Sequence, residues 1–389
     1  MEKGDDYFRF FIHISLQKVQ LGQVLKWGSY FDSFTMQNKL PLINQILIMI
    51  TPAFLKPGDK VGIVATARKV SPEEVEPAIK TMESWGLEVI TGAGLYLAEN
   101  QFAGNDDQRA SDLQRMLDDP EIKAIICARG GYGTVRIIDQ LDFSAFEKQT
   151  KWIVGFSDIT VLHSHINKHF GIETLHATMP LNFPGDGSHS GSVEALKSVL
   201  FGEVADYKVV TGNLSRPGHA RGEVVGGNLS ILYSLSGTAS DIETRGKILF
   251  IEDLDEYLYH IDRMMINLKR SGKLEELAGL VVGGMSQMRD NAVPYGKSAE
   301  EIIADTVKNY KYPVLFGFPA GHIKDNMPLI FGREALLDVA KDSSGLIFTQ
   351  SQKTNQKEKV GNLVKPVLFI TAFFALIWLL YFLLLGNQI

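Results

Sequence analysis

Between residues 60 and 170 short apolar runs alternate with stretches of helical character, a rhythm that few architectures accept. Residues 60–65 (Lys-Val-Gly-Ile-Val-Ala) follow Pro57-Gly58-Asp59 and read as a strand buried on both faces. Ser71-Pro72-Glu73-Glu74 then supplies an N-cap, a proline at the first helical position and acids in the first turn. The helix it opens runs to about Trp85 and stops at Gly86. The order repeats, with strands expected at 87–91, 124–128 and 152–155 and helices at 106–118, 135–141 and 159–170. Strands each followed by a helix predict a parallel sheet covered by helices on both faces, an α/β fold.

A chain of 389 residues exceeds what one core holds, roughly 250–300 residues, so two packed domains are expected. Gly, Ser, His and Pro cluster between about 184 and 222, which sets a linker at 185–221. It separates an N-terminal α/β domain, 51–184, from a second α/β domain, 222–350. In the second, strands are expected at 222–225, 247–251, 279–282 and 313–317, with late strands within 338–348. Helices are expected at 228–235, 257–270 and 299–307. Residues 1–50 form an N-terminal extension without a signal-peptide pattern, since Asp5 and Asp6 stand where basic residues belong. That extension reads equally as a poorly ordered segment, a membrane-surface helix, or sequence upstream of a true start at Met49.

The formal charge of −6 is spread along the chain, which argues against a nucleic-acid partner. One cysteine, Cys127, excludes an intrachain disulfide and offers no zinc-ligand spacing; in its apolar run it reads as a core residue. A polar linker, 351–363, precedes an uncharged stretch from Pro366 to Leu385, long enough for about 30 Å of helix. We therefore expect a transmembrane anchor at 364–386. Lys353, Lys357, Lys359 and Lys365 lie before the uncharged stretch, and no Lys or Arg follows it. The catalytic domains are accordingly expected in the cytoplasm, anchored to the inner membrane.

Ligands of open parallel sheets gather at the carboxyl ends of strands, and three features fall there. Gly155-Phe156-Ser157-Asp158 runs from a strand directly into a helix, where Ser157 faces the crevice and helix-start amides suit an oxyanion. Ile159 replaces the second glycine of a nucleophile elbow, and Ser157 or Asp158 equally reads as a cap for the helix at Ile159. Glu252 ends an apolar run, where a carboxylate can orient an imidazole, although four acids within 252–256 also read as a solvated turn. His322, in a Pro/Gly loop past another strand, suits a general base and equally a loop residue with no chemical role. Arg129-Gly130-Gly131-Tyr132-Gly133 also follows a strand and reads as an anion-holding turn or a plain tight turn. It lacks the lysine of a P-loop. His163, His165 and His169 share a helix without a convincing metal-ligand pattern.

These segments occur in an order that resembles the LD-carboxypeptidases, a serine peptidase family that includes microcin C immunity-type peptidases. The resemblance rests on Lys56-Pro57-Gly58-Asp59, Arg129-Gly130-Gly131-Tyr132-Gly133, Gly155-Phe156-Ser157-Asp158-Ile159-Thr160, Gly226-Gly227-Asn228-Leu229, Glu252-Asp253 and Gly321-His322. It spans about residues 51–350. It implies a flavodoxin-like N-terminal domain, a smaller β-rich α/β C-terminal domain, and a Ser157-Glu252-His322 triad with the active site in the crevice between the domains. The implied reaction removes terminal D-alanine from a murein tetrapeptide at an L-to-D bond, without metal or cofactor. On that reading the amides of Asp158 and Gly131 form the oxyanion hole. Arg129, Gly130, Tyr132 and Asn228 bind substrate, with Arg129 the candidate for its free carboxylate. Two alternatives stand beside it: a family peptidase acting on peptide–nucleotide conjugates, and a non-catalytic protein that binds a small anion. A homodimer is compatible with the resemblance. The N-terminal extension and C-terminal stretch depart from the family pattern.

Overall fold

The structure, a computed structural model, describes residues 49–350 apart from 187 and 189. The first half runs β1 (Lys60–Val64), α1 (Pro72–Ser84), β2 (Glu88–Thr91), α2 (Asp106–Asp118), β3 (Ile122–Cys127), α3 (Ser144–Lys148), β4 (Trp152–Gly155), α4 (Thr160–Phe170) and β5 (Thr174–His176). Helix α1 starts where the sequence placed it: Ser71 accepts from the Glu74 amide, and the Glu74 side chain accepts from the Ser71 amide. Such a cap contributes roughly 1 kcal/mol. Asn105 and Gln108 repeat the device at α2.

These five strands lie parallel in the order β5-β4-β3-β1-β2, the flavodoxin-like winding. Continuous apolar runs are needed because both faces are covered. Ala124, Ile126, Trp152 and Val154 enter one core, while Ile125, Cys127 and Ile153 enter another. Cys127 is fully buried, and burial pushes its thiol up to about 12.

The second half runs α5 (Gly191–Leu200), β6 (Asp206–Val210), β7 (Gly218–Asn228), α6 (Leu229–Leu235), β8 (Ile248–Leu254), α7 (Leu258–Arg270), β9 (Gly279–Ser286), α8 (Ala299–Val307), β10 (Val314–Phe316), β11 (Leu329–Phe331), β12 (Glu334–Val339) and β13 (Ser343–Phe348). Its sheet has the order β10-β9-β8-β7-β12-β13-β6, parallel from β10 to β7 and antiparallel beyond. Strand β11 leaves this half and pairs antiparallel with β5 of the first sheet. One apolar cluster is continuous across both halves, joining Ile63, Ala124 and Val154 to Phe250, Val281 and Leu337. Beside the β5–β11 pairing, Arg333 donates to both carboxylate oxygens of Glu173, at 3.1 and 2.6 Å, with each side chain 5% exposed.

The structure corrects several expectations. The second sheet has seven strands and the first six, one of them β11 from the second half. Residues 185–221, read as a linker, hold α5, β6 and the start of β7. The segment 135–141 is not one helix but two 3-10 turns, Thr134–Arg136 and Ile138–Gln140. It starts behind Gly133 with no side-chain cap, and the Thr134 amide is held by a carboxylate elsewhere.

The expected transmembrane helix and membrane anchoring are also corrected. No helix among the described residues is long and apolar enough to cross a membrane. The longest of them have 13 residues, about 20 Å against the roughly 30 Å of a bilayer core. The segment 364–386, like residues 1–48, lies outside the described residues.

Removing one member of a buried ion pair leaves the other charge uncompensated, at about 3–5 kcal/mol. Glu173→Leu is expected to lower unfolding stability by that amount in a denaturant titration, and adding Arg333→Met should recover part of it. Equal stability of Glu173→Leu and wild type would contradict this role.

Candidate active site

Strand β4 ends at Gly155, and after Phe156 the chain enters a 3-10 turn, Ser157–Ile159, that feeds α4. Ser157 has φ +65°, a left-handed conformation uncommon for a residue with a Cβ. Such strain, of order 1–3 kcal/mol, persists where the surroundings over-determine the backbone. Three contacts do so here. His163 Nε2 lies 2.9 Å from the Gly155 carbonyl, which can only accept, so this nitrogen carries the proton. The Ile159 amide donates to the Phe156 carbonyl, and the Thr134 amide donates to Asp158 Oδ2 at 2.8 Å. No side chain caps the 3-10 turn or α4, so neither Ser157 nor Asp158 has the capping role considered above. Asp158 instead ties the serine turn to the glycine turn. Its carboxyl is raised above the ordinary range, chiefly by burial and against the pull of Thr134 and two arginines.

Strand β8 continues through Glu252 and Asp253, so these acids are interior strand residues, not a solvated turn. The Glu252 side chain is 0% exposed and that of His322 is 15% exposed. His322 Nδ1 lies 2.7 Å from Glu252 Oε2, and its backbone amide donates to the same oxygen at 3.0 Å. Because a carboxylate accepts, Nδ1 carries the proton and Nε2 is left with a lone pair. That Nε2 lies 3.1 Å from Ser157 Oγ. The Phe156 ring packs against the imidazole with centroids 4.8 Å apart. Burial is the largest influence on His322 and disfavours the imidazolium. The hydrogen bond and charge of Glu252, with Asp253 behind it, outweigh burial and raise the pKa above its ordinary value.

Other residues support the triad, among them Asn228, which the resemblance assigned to substrate, and Asn326 and Ser286, which were not singled out from the sequence. Asn228 ends β7 and caps α6, accepting from the Ile231 amide. Its Nδ2 donates to Glu252 Oε1 at 3.3 Å and to Asp253 Oδ1 at 2.9 Å, and its amide donates to Thr160 Oγ1 at 3.0 Å. Its side chain therefore serves the buried acids directly. Asp253 also accepts from the Ser230 and Leu254 amides; burial, then the Glu252 charge, pushes it up to about 7. Asn326 accepts from the Gly321 amide, and Ser286 donates to the His322 carbonyl. Only their places beside Gly321-His322 or at the end of β9 hinted at these roles.

The glycine turn lies against the serine. A Cβ on Gly130 would come within 2.9 Å of Ser157 Cβ and 3.1 Å of Oγ. Gly131 has φ +113°, and a Cβ there would meet Arg68 Cδ at 2.6 Å. Of the residues expected to bind substrate, Arg129 is engaged elsewhere, with Nη1 3.4 Å from the Lys69 carbonyl and 3.9 Å from Glu74. Tyr132 is exposed and its ring packs near Phe102. The helix histidines are all occupied. His165 bonds Ser240 Oγ, His169 donates to the Ala239 carbonyl, and burial lowers His163 and His165 to about 4. Among the described residues no group of three His, Cys, Asp or Glu side chains could hold a metal ion.

Comparison with known proteins places this geometry. Residues 61–177 match the LD-carboxypeptidase N-terminal domain and residues 221–337 the LD-carboxypeptidase C-terminal domain. A probable murein peptide carboxypeptidase of Bacillus subtilis is 38% identical over 300 residues, covering 75% of this chain and 93% of its own length. The crystal structure of a muramoyltetrapeptide carboxypeptidase from Oxalobacter formigenes superposes with a TM-score of 0.68 at 29% identity, over 74% of this chain and 98% of that one. MccF in complex with glutamyl sulfamoyl guanosine shares the fold, with a TM-score of 0.69 at 19% identity, over 78% of this chain and 100% of that one.

The pairing of His322 with Glu252 has a spectroscopic consequence. The His322 imidazole should titrate above the ordinary histidine midpoint when followed by nitrogen-15 NMR. In Glu252→Gln burial acts without the compensating charge, and the midpoint should fall below it. An unchanged midpoint would contradict the assignment of Glu252 as the dominant partner.

Proposed function

The chain belongs to the LD-carboxypeptidase family, and on that premise we propose that Ser157, Glu252 and His322 are its catalytic triad, cleaving an L-to-D peptide bond in murein tetrapeptide to release terminal D-alanine. The observation that carries this reading is the unbroken run of hydrogen bonds from Glu252 through His322 to Ser157 Oγ. The tautomer it fixes leaves Nε2 free to accept the serine proton.

In the proposed reaction Ser157 Oγ attacks the scissile carbonyl as its proton passes to His322 Nε2. Glu252, already accepting from Nδ1, stabilises the imidazolium that forms. The tetrahedral oxyanion is assigned to the amides of Asp158 and Gly131, at the head of the serine turn and on the glycine turn that abuts it. One such donor contributes about 10²–10³ in turnover. His322 then protonates the departing D-alanine nitrogen, and water attacks the acyl-serine by the reverse sequence. Gly130 and Tyr132 are assigned to substrate contact on the turn over Ser157, and Asn228 to positioning Glu252. The likeness to MccF is one of fold, so an acyl sulfamoyl nucleoside serves as the comparison substrate for the alternative family reaction.

Ser157→Ala is expected to lower kcat for D-alanine release by about 10⁴-fold or more, measured on purified protein with tetrapeptide. Wild-type turnover in that variant would sink the mechanism, and faster turnover of glutamyl sulfamoyl guanosine than of tetrapeptide would move the substrate assignment. The general base must be neutral, so kcat/KM should rise with pH and reach half its plateau at the raised pKa of His322. A profile with no ionisation above the ordinary histidine range would exclude His322 in this state as the base.

A further inference from the structure

A carboxypeptidase differs from other peptidases in what it holds beyond the scissile bond: the carbon attached to the departing nitrogen carries a free carboxylate. Three buried carboxyl groups, Asp158, Glu252 and Asp253, already surround the reacting atoms. An incoming carboxylate draws no attraction from them and needs a cationic partner. The cations around the glycine turn differ in how far they are already committed. Arg109 is buried, donates to the Thr66 and Gly133 carbonyls and pairs with Asp106. Arg136 makes a forked pair with the same Asp106. Arg129 faces Glu74 and the Lys69 carbonyl.

Arg68 is different. It follows β1 at the carboxyl end of the sheet, the edge where Ser157 follows β4. Its amide donates to the Gly130 carbonyl at 3.5 Å. Its stem lies flat on Gly131, with Cδ, Cγ and Nε at 2.6, 2.8 and 2.8 Å from where a Cβ on that glycine would stand. The preceding glycine meets Ser157 in the same way, so the two-glycine turn is a thin partition between the nucleophile and this side chain. Arg68 is exposed, and no described residue hydrogen-bonds or ion-pairs with its guanidinium. Its charge nevertheless reaches Asp158, beside the nucleophile, and opposes the rise that burial imposes on that carboxyl.

The geometry points to Arg68 as the side chain that binds the free α-carboxylate of the residue being released. This rests on the reaction proposed above and replaces Arg129 in that role. A guanidinium offers a planar fork matched to a carboxylate, and the Gly131 backbone limits the directions that fork can take. The absence of a side chain at 131 thus does two things: it permits φ +113° and it seats the arginine.

The test compares tetrapeptide with its C-terminal amide, which keeps the scissile bond and removes the anion. Arg68→Gln should lower kcat/KM for the free acid about 10–100-fold, the effect of losing a hydrogen-bonded charge, and leave the amide unchanged. Arg68→Lys should fall between, keeping charge without the fork. Lys69→Gln, which alters the cation next in sequence to Arg68, and Lys324→Gln, which alters the cation two residues after His322, should keep the wild-type preference for the acid. A second arm measures binding by calorimetry in the Ser157→Ala background, where Arg68→Gln should weaken the acid by the same factor and not the amide. An unchanged acid-to-amide ratio in Arg68→Gln, or a ratio that collapses in Lys324→Gln instead, would overturn the assignment while the reaction stands. If wild type releases nothing from tetrapeptide, the reaction falls, and the binding arm alone then decides whether Arg68 holds the carboxylate.

Discussion

Strand β11 crosses from the second half of the chain to pair with β5, and the position of every reacting atom depends on that junction. Ser157 is carried by the first sheet, while Glu252 and His322 belong to the second half. Hydrogen bonds of 2.7 and 3.1 Å tolerate little sliding between the two. Backbone pairing at β11, the Arg333–Glu173 ion pair, the Asn228-to-Thr160 bond and an apolar cluster common to both halves act together at this seam. The halves behave as one packed body because apolar area is removed from water across the seam as it is within each sheet.

The second requirement is electrostatic. Glu252 and Asp253 are neighbours in one strand, both buried, so the Glu252 charge adds to burial in opposing ionisation of Asp253. Their environments differ. Glu252 lies against the imidazole and its amide, whereas Asp253 has only neutral donors and is pushed up to about 7. Asn228 donates to both and keeps them apart in role: one carboxylate faces the histidine, the other holds the start of α6 through the Ser230 amide.

Much of the first sheet was legible in the sequence because its signals are local. Ser71 and Glu74, or the unbroken apolar run before Gly155, carry their meaning within a few residues. The misjudged segments depend on partners far along the chain. Residues 135–141 have helical spacing, but the chain there makes two 3-10 turns, and the tie from the Thr134 amide to Asp158 in the serine turn is visible only in three dimensions. Residues 185–221 look like linker text, yet β6 finds a partner in β13 and becomes a sheet edge. Ser157, Glu252 and His322 were legible as strand-end residues, and the ordered resemblance joined them. Arg68 sits at a strand end as well, but nothing in Ala67-Arg68-Lys69 says that its stem will lie on a glycine sixty-three positions away. The transmembrane expectation rested on length and apolarity alone, and none of the described helices has that length.

The left-handed backbone at Ser157 sets the fold and its chemistry against each other. Glycine adopts that conformation at no steric cost, so the chain would be relaxed by the one substitution that removes its nucleophile. Variants chosen for thermal resilience alone would drift toward glycine at 157 and arrive as well-folded, inert proteins. The strain is thus a mark that stability did not choose this residue, and in unrelated chains a non-glycine at such a strand-to-helix corner is worth reading in that sense.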